Sequence, residues 1–127
     1  MSLRSDLGRV RGLGSAKTGA HHWWHQRLTA VAIVPLSIWL VIALLGKMNA
    51  THAELVAWIG QPMVTVLLVA LILSVFYHAK LGLQVVIEDY VHGEFAKLAL
   101  LIAMKLGLAF GTLVGVIAVM KISFGMA

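Results

Sequence analysis

FYHAKLGLQVVIEDYV, residues 76–91, closes the second of three long apolar runs in this 127-residue chain. The run over residues 63–87 carries one charged side chain, Lys80, before the chain turns acidic. A helix needs about 20 mostly apolar residues to cross a hydrocarbon core of about 30 Å. We therefore interpret residues 63–87 as a transmembrane helix that places His78 inside the membrane.

Two further runs have the same character. Residues 28–46 contain no charged residue, and residues 98–122 contain only two lysines. The whole chain is 61% hydrophobic and 12% charged, whereas soluble domains carry about 25% charged residues. We expect one all-α membrane domain over residues 1–127 with three transmembrane helices. Without a cysteine, the chain itself cannot hold an iron–sulfur cluster through thiolates.

The arm before the first run, residues 1–27, is basic and contains several glycines. The glycines argue against one continuous helix. The arm's basic residues are Arg4, Arg9, Arg11, Lys17 and Arg27, against a single acid. Beside a membrane span, such charge favours anionic lipid over nucleic acid and predicts a cytoplasmic N terminus. Residues 88–97 would then be a cytoplasmic loop. In the first loop, residues 49–54 could cap a short interfacial helix that carries Trp58.

His78 is the one histidine inside the three predicted spans. It lies nine residues before Ile87, about 13 Å into the hydrocarbon. An ionisable group there is costly unless it faces protein, water or a metal, and neutral imidazole is a good haem ligand. We expect a carbonyl one turn earlier to satisfy its other ring nitrogen, and Gly82 to leave room for a flat macrocycle. By position alone, a hydrogen-bonded histidine at a helix interface is the favoured interpretation.

An acidic-aromatic pair, Asp89 and Tyr90, ends the second run. Asp89 lies eleven residues after His78, so three helical turns place it on the same face, roughly 16 Å away. A tyrosine hydroxyl can donate to a carbonyl oxygen and a carboxylate can relay protons, and a quinone needs both when it is reduced. The alternative is an interfacial tyrosine belt with a helix-ending acidic turn.

Other polar side chains have simpler explanations. Arg27 could bind a carboxylate such as a haem propionate or a lipid phosphate. The nearby cluster of His21, His22 and His25 has metal-ligand spacing but no carboxylate close in sequence. Lys80 and Lys105 lie close enough to a helix end to reach the interface. Small residues every four positions predict a close helix contact in the third run, namely Ala103, Gly107, Gly111 and Gly115.

Two patterns make the chain resemble the smaller, cytochrome b556-type hydrophobic membrane-anchor subunits of bacterial succinate dehydrogenase, respiratory complex II. The first pattern is Gly19-x-His21 followed by Arg27-x-Thr29-Ala30. The second is His78-Ala79-x-x-Gly82 followed by Asp89-Tyr90-Val91. The three-span plan and the short length also fit, and the residues of the second pattern are similar to those of the alphaproteobacterial branch.

The resemblance implies a multi-pass protein of the bacterial inner membrane that packs with a second three-helix anchor subunit. It also implies an iron–sulfur subunit and a flavoprotein subunit, which oxidises succinate, so this chain alone holds no catalytic residue. The complex would pass electrons to ubiquinone, linking the tricarboxylic acid cycle to the respiratory chain. Carried over, His78 is an axial ligand of a shared haem b, and Arg27 and His21 contact its propionates, with His22 and His25 competing with His21 for that role. Tyr90 would bond the quinone carbonyl, with Asp89 supporting it or relaying protons.

Two alternatives remain open at this stage. An anchor of a related quinol:fumarate reductase, especially one with two haems, should show more histidines within its spans than His78. A purely structural or transport subunit would be expected to pair a buried histidine with an acid, and no predicted span contains Asp or Glu.

Overall fold

The computed structural model describes residues 5–10 and 19–126, and within them the chain is helical with short turns. In chain order the helices are α1 (Asp6–Val10), α2 (Gly19–Leu45), α3 (His52–Ile59), α4 (Pro62–Tyr90) and α5 (Glu94–Ser123). The helices α2, α4 and α5 are 27, 29 and 30 residues long and apolar enough to cross a membrane. The predicted all-α fold with three such helices is confirmed.

The three long helices form a flat antiparallel layer with α4 in the middle. Near the start of α2, Thr29 contacts His78 of α4. At the other end of α4, the hydroxyl oxygens of Thr65 and of Ser123 in α5 lie 3.0 Å apart, within hydrogen-bond distance. The described part of α2 does not approach α5. The buried side chains of the described residues all belong to α4, namely Val64, Thr65, Leu71 and Leu81. A layer this thin leaves broad apolar faces for lipid or further helices.

The helices extend beyond the predicted spans. The predicted loop over residues 88–97 was wrong, because α4 and α5 leave only residues 91–93 between them. The arm is also helical from Gly19 onward. Hydropathy marks where side chains meet hydrocarbon, whereas a helix continues as long as its backbone groups find partners. The arm's Arg4, Arg11 and Lys17 lie outside the described residues, and the orientation remains a prediction.

The short helix expected in the first loop is present as α3. Its N terminus is closed by Thr51, whose hydroxyl accepts from the Glu54 N–H, while the Glu54 carboxylate accepts from the Thr51 N–H over 2.7 Å. That backbone bond, more than the bond from the Thr51 hydroxyl, lowers the pKa of the Glu54 carboxyl. Trp58 packs on Trp39 of α2, with ring centroids 6.1 Å apart. The reciprocal cap thus anchors one end of the layer.

Two of the predicted small residues form the contact between α4 and α5. A Cβ added at Gly111 would lie 2.6 Å from the Phe76 ring, and one at Gly115 would lie 3.3 Å from Ile72. A Cβ at Gly107 would meet nothing within 4 Å. The close contact is therefore confirmed at Gly111 and Gly115, while Gly107 faces open space in this chain.

We expect Gly111→Ala to destabilise the folded protein by about 1–3 kcal/mol, the typical cost of overpacking, because the Phe76 ring must shift. Gly107→Ala is the matched control, with the same substitution one turn earlier and no steric conflict. Thermal unfolding of the protein in detergent should show a lower midpoint for the first variant only. Equal midpoints for the two variants would contradict the close contact at Gly111.

Candidate functional site

His78 lies at the interface of α2 and α4 with its ring partly buried. Its Nδ1 is 3.0 Å from the Thr29 hydroxyl oxygen, and its Nε2 is 3.3 Å from the side-chain nitrogen of Gln26. Both partners belong to α2 and are three residues apart, so they share one face of that helix. The imidazole is therefore held inside the protein at a depth where lipid would leave it unsatisfied.

The prediction for the hydrogen-bond partner of the second ring nitrogen of His78 was wrong. A backbone carbonyl one turn earlier on α4 was expected, but the ring projects across to α2 and meets the Thr29 hydroxyl instead. The reason is the direction of the ring, which faces α2, where the Thr29 hydroxyl oxygen lies 3.0 Å from Nδ1.

A groove opens next to this histidine, and we name it the α2/α4 groove. Its volume is about 830 Å³, within the roughly 300–1,000 Å³ range of ligand pockets. It is lined by Gly19, His22, Trp23, Gln26 and Arg27 of α2 and by Gly82, Gln84, Val85 and Glu88 of α4. Gln26 belongs to the groove and also touches His78, so its side chain stands between the imidazole and the open space.

Two buried polar atoms on the groove residues have no hydrogen-bond partner within the described chain, Nε2 of His22 and Oε1 of Gln26. Buried polar atoms almost always have a hydrogen-bond partner, and a missing hydrogen bond to such an atom costs about 1–3 kcal/mol of folding free energy. Their position in one groove points to a polar ligand there.

The residues present fit a haem at this groove. Gln26 of the groove contacts the His78 imidazole behind it. Arg27 lines the groove, and Gly82 adds no side chain one turn after His78. One adjustment is needed: the Gln26 amide must rotate away, because it lies 3.3 Å from the Nε2 atom that would bind iron. A rotamer change of an unbranched side chain is a small rearrangement.

The histidines of the arm separate onto different faces. His21 stacks on His25, with ring centroids 6.3 Å apart, and the His25 Nδ1–H donates to the His21 carbonyl. The His25 ring meets the edge of Tyr77. His22 alone of the three lines the α2/α4 groove. His21, the residue named by the sequence pattern, thus lies away from it.

Sequence reasoning did not bring together three residues of this site, His22, Gln26 and Thr29, although His22 was named in the histidine cluster and Thr29 in the first family pattern. They occur at positions i, i+4 and i+7, the spacing of one helix face. This signal was hidden because residues 19–27 were expected to precede the helix, so no helical face was drawn through them.

Asp89 and Tyr90 lie in the last turn of α4 and are exposed, Tyr90 to 77%. Within the described residues neither side chain hydrogen-bonds to another part of the chain. Both remain free to contact a ligand or a neighbouring subunit. Along the helix they are eleven and twelve residues from His78, roughly 16–18 Å.

Lys80 and Lys105 line a different groove of about 470 Å³ between α4 and α5. The Lys80 ammonium lies 5.4 Å above the Tyr77 ring, a favourable cation–π distance. Lys80 is two residues from His78 and so points to the other side of α4. The lysines therefore belong to a separate surface from the α2/α4 groove.

The comparisons with known proteins agree on one family. The model for the succinate dehydrogenase/fumarate reductase transmembrane subunit matches residues 1–119. A succinate dehydrogenase hydrophobic membrane anchor subunit of Rickettsia bellii is 37% identical over 105 residues, covering 82% of this chain and 83% of the relative. Its namesake in Rickettsia conorii is 32% identical with the same coverage. That of Paracoccus denitrificans is 27% identical, covering 79% and 78%. No solved structure matched the chain.

Proposed function

This chain belongs to the family of succinate dehydrogenase/fumarate reductase transmembrane subunits, and we propose that it anchors a succinate:ubiquinone oxidoreductase in a bacterial inner membrane. Succinate is oxidised on a flavoprotein chain, and an iron–sulfur chain carries the electrons to the membrane. This chain docks both and contributes residues to the quinone site. The names of its relatives and its three apolar helices support this role.

A second three-helix anchor subunit covers the α2/α4 groove in this proposal. The groove is formed by only two helices of a flat layer, so its outer side needs another protein to exclude lipid. The exposed side chains around it are large and apolar, including Trp23, Leu28 and Val85. The partner also supplies the second axial histidine.

The observation that carries the haem proposal is the α2/α4 groove, where Gln26 contacts His78 and two buried polar atoms of the lining residues have no hydrogen-bond partner within the described chain. His78 binds the iron through Nε2, and Arg27 donates charge-assisted hydrogen bonds to a propionate. The resemblance gives a propionate contact to His21, but His22 lines the groove, and we propose His22 for this contact. When bound, a b-type haem supplies a one-electron carrier next to the quinone site.

The quinone head group binds at the exposed end of α4, at the membrane edge. The Tyr90 hydroxyl donates a hydrogen bond to the quinone carbonyl, which makes that carbonyl a better electron acceptor. Asp89, adjacent in sequence, passes protons from water to the reduced oxygen. Their exposure in this chain leaves both groups available to the quinone and to the iron–sulfur subunit.

Affinity purification tests this function directly. A tagged copy of the chain, expressed in its own host and extracted in mild detergent, should bring down a flavoprotein and an iron–sulfur protein. The eluate should reduce ubiquinone with succinate as donor. A tagged multi-pass protein of unrelated function is the control. Purification of the chain without any flavoprotein would refute the proposed role.

A further inference from the structure

The Thr29 hydroxyl has its proton committed to its own helix. Its oxygen lies 2.8 Å from the His25 carbonyl and 3.0 Å from the Gln26 carbonyl. A hydroxyl has one proton and two lone pairs, and two carbonyls compete for that proton. The oxygen is therefore left to accept a hydrogen bond. The donor within reach is the Nδ1–H of His78, at 3.0 Å.

The contact on the other side of the ring is compatible with the same proton position. The Gln26 side-chain nitrogen, 3.3 Å from His78 Nε2, is a donor with no lone pair to offer. With the amide in this orientation, Nε2 is the acceptor and carries no proton. The Gln26 contact is thus compatible with the tautomer of His78 that the Thr29 contact defines.

We propose that Thr29 is a positioning residue for haem binding, which holds His78 as the Nδ1–H tautomer with the Nε2 lone pair directed toward the iron. This proposal rests on the proposed haem and adds to it the residue that prepares the ligand. A metal-bound histidine usually donates its other N–H to a protein acceptor, which fixes the ring and increases its basicity. Here the acceptor is itself fixed by the backbone of α2, so the rotation of the imidazole is set before iron binds.

Thr29→Val and Thr29→Ser separate the hydroxyl from the shape of the side chain. Valine keeps the branched shape and removes the acceptor, while serine keeps the acceptor. In the purified complex, we expect haem loss to apomyoglobin to become roughly 10- to 100-fold faster with valine and to stay near the wild-type rate with serine. The haem midpoint potential should rise with valine, because a less basic imidazole stabilises ferric iron less.

Thr112→Val is the matched control. The Thr112 hydroxyl also donates to a carbonyl of its own helix, that of Leu108 at 2.7 Å, but it contacts no histidine. Its removal should leave the haem loss rate and the potential unchanged. Thr29→Cys keeps a similar side-chain volume but offers a weaker acceptor, so its haem loss rate and midpoint potential should be intermediate. It replaces the valine variant if the valine complex does not assemble.

The outcomes distinguish this proposal from the one it rests on. If His78→Ala loses haem but Thr29→Val keeps the wild-type haem loss rate and midpoint potential, the role of Thr29 is overturned. Where the valine variant does not assemble, the same result in Thr29→Cys overturns it. An equal defect in the valine and serine variants would also overturn it, because the hydroxyl would then not be the cause. Haem retained in His78→Ala would instead refute the axial ligand.

Discussion

Replacing His78 by alanine should remove the b-type haem signal from the complex entirely. The substitution deletes the imidazole that reaches from α4 to Thr29 and Gln26 of α2 beside the α2/α4 groove. Haem iron depends on its axial ligands for low-spin binding, and the contacts proposed for Arg27 and His22 would reach only the propionates. The measurement is a reduced-minus-oxidised absorbance spectrum of the purified complex, beside the wild-type spectrum.

His52→Ala is the matched control for that experiment. His52 begins α3 at the opposite end of the layer and is exposed, so its loss should leave the spectrum intact. Co-purification of the flavoprotein with the tagged chain reports whether the complex has assembled in each variant. An assembled His78→Ala complex with a wild-type haem spectrum would reduce His78 to a packed histidine held by Thr29 and Gln26.

Replacing Tyr90 by phenylalanine should lower ubiquinone reduction by roughly 100-fold, the typical cost of removing one hydrogen-bond donor from a site where negative charge develops. Succinate oxidation with an artificial acceptor should be unchanged, because that reaction occurs on another chain. The ratio of the two activities, measured on the same preparation, is the readout. The phenyl ring preserves the packing of the last turn of α4, so the change isolates the hydroxyl.

Tyr77→Phe provides the internal control. Tyr77 is on the same helix, and its ring contacts His25 and the Lys80 ammonium, interactions that phenylalanine retains. Its ubiquinone activity should stay close to wild type. Equal activity of the Tyr90→Phe complex with ubiquinone would refute the hydrogen bond to the quinone, and equal losses in both variants would point to a general effect on α4.

Both interpretations of His78 raised by the sequence remain relevant to the structure. The ring is a hydrogen-bonded histidine at a helix interface, as its position alone favoured. In our proposal the same contacts also prepare it as a ligand, because they would leave Nε2 without a proton beside a groove with unsatisfied polar atoms. The spectrum of the His78→Ala complex decides between the two.

The sequence alone was enough to predict the number of long helices, the capped helix α3 and the central place of His78. These features follow from local rules, since about 20 apolar residues span a bilayer and a Thr-x-x-Glu pair caps a helix wherever it occurs. The apolar pattern could not locate the helix ends. It therefore missed that α2 begins at Gly19 and that α5 begins at Glu94.

Only the tertiary structure decided which residues meet. It brought Thr29 and Gln26 to the two nitrogens of His78, placed His22 rather than His21 in the groove, and used Gly111 but not Gly107 at the helix contact. Helical periodicity determines which residues share a face, but not how that face is rotated against a neighbour. The rotation is set by the packing of α4 between α2 and α5, which joins residues some 35 to 58 positions apart in the chain.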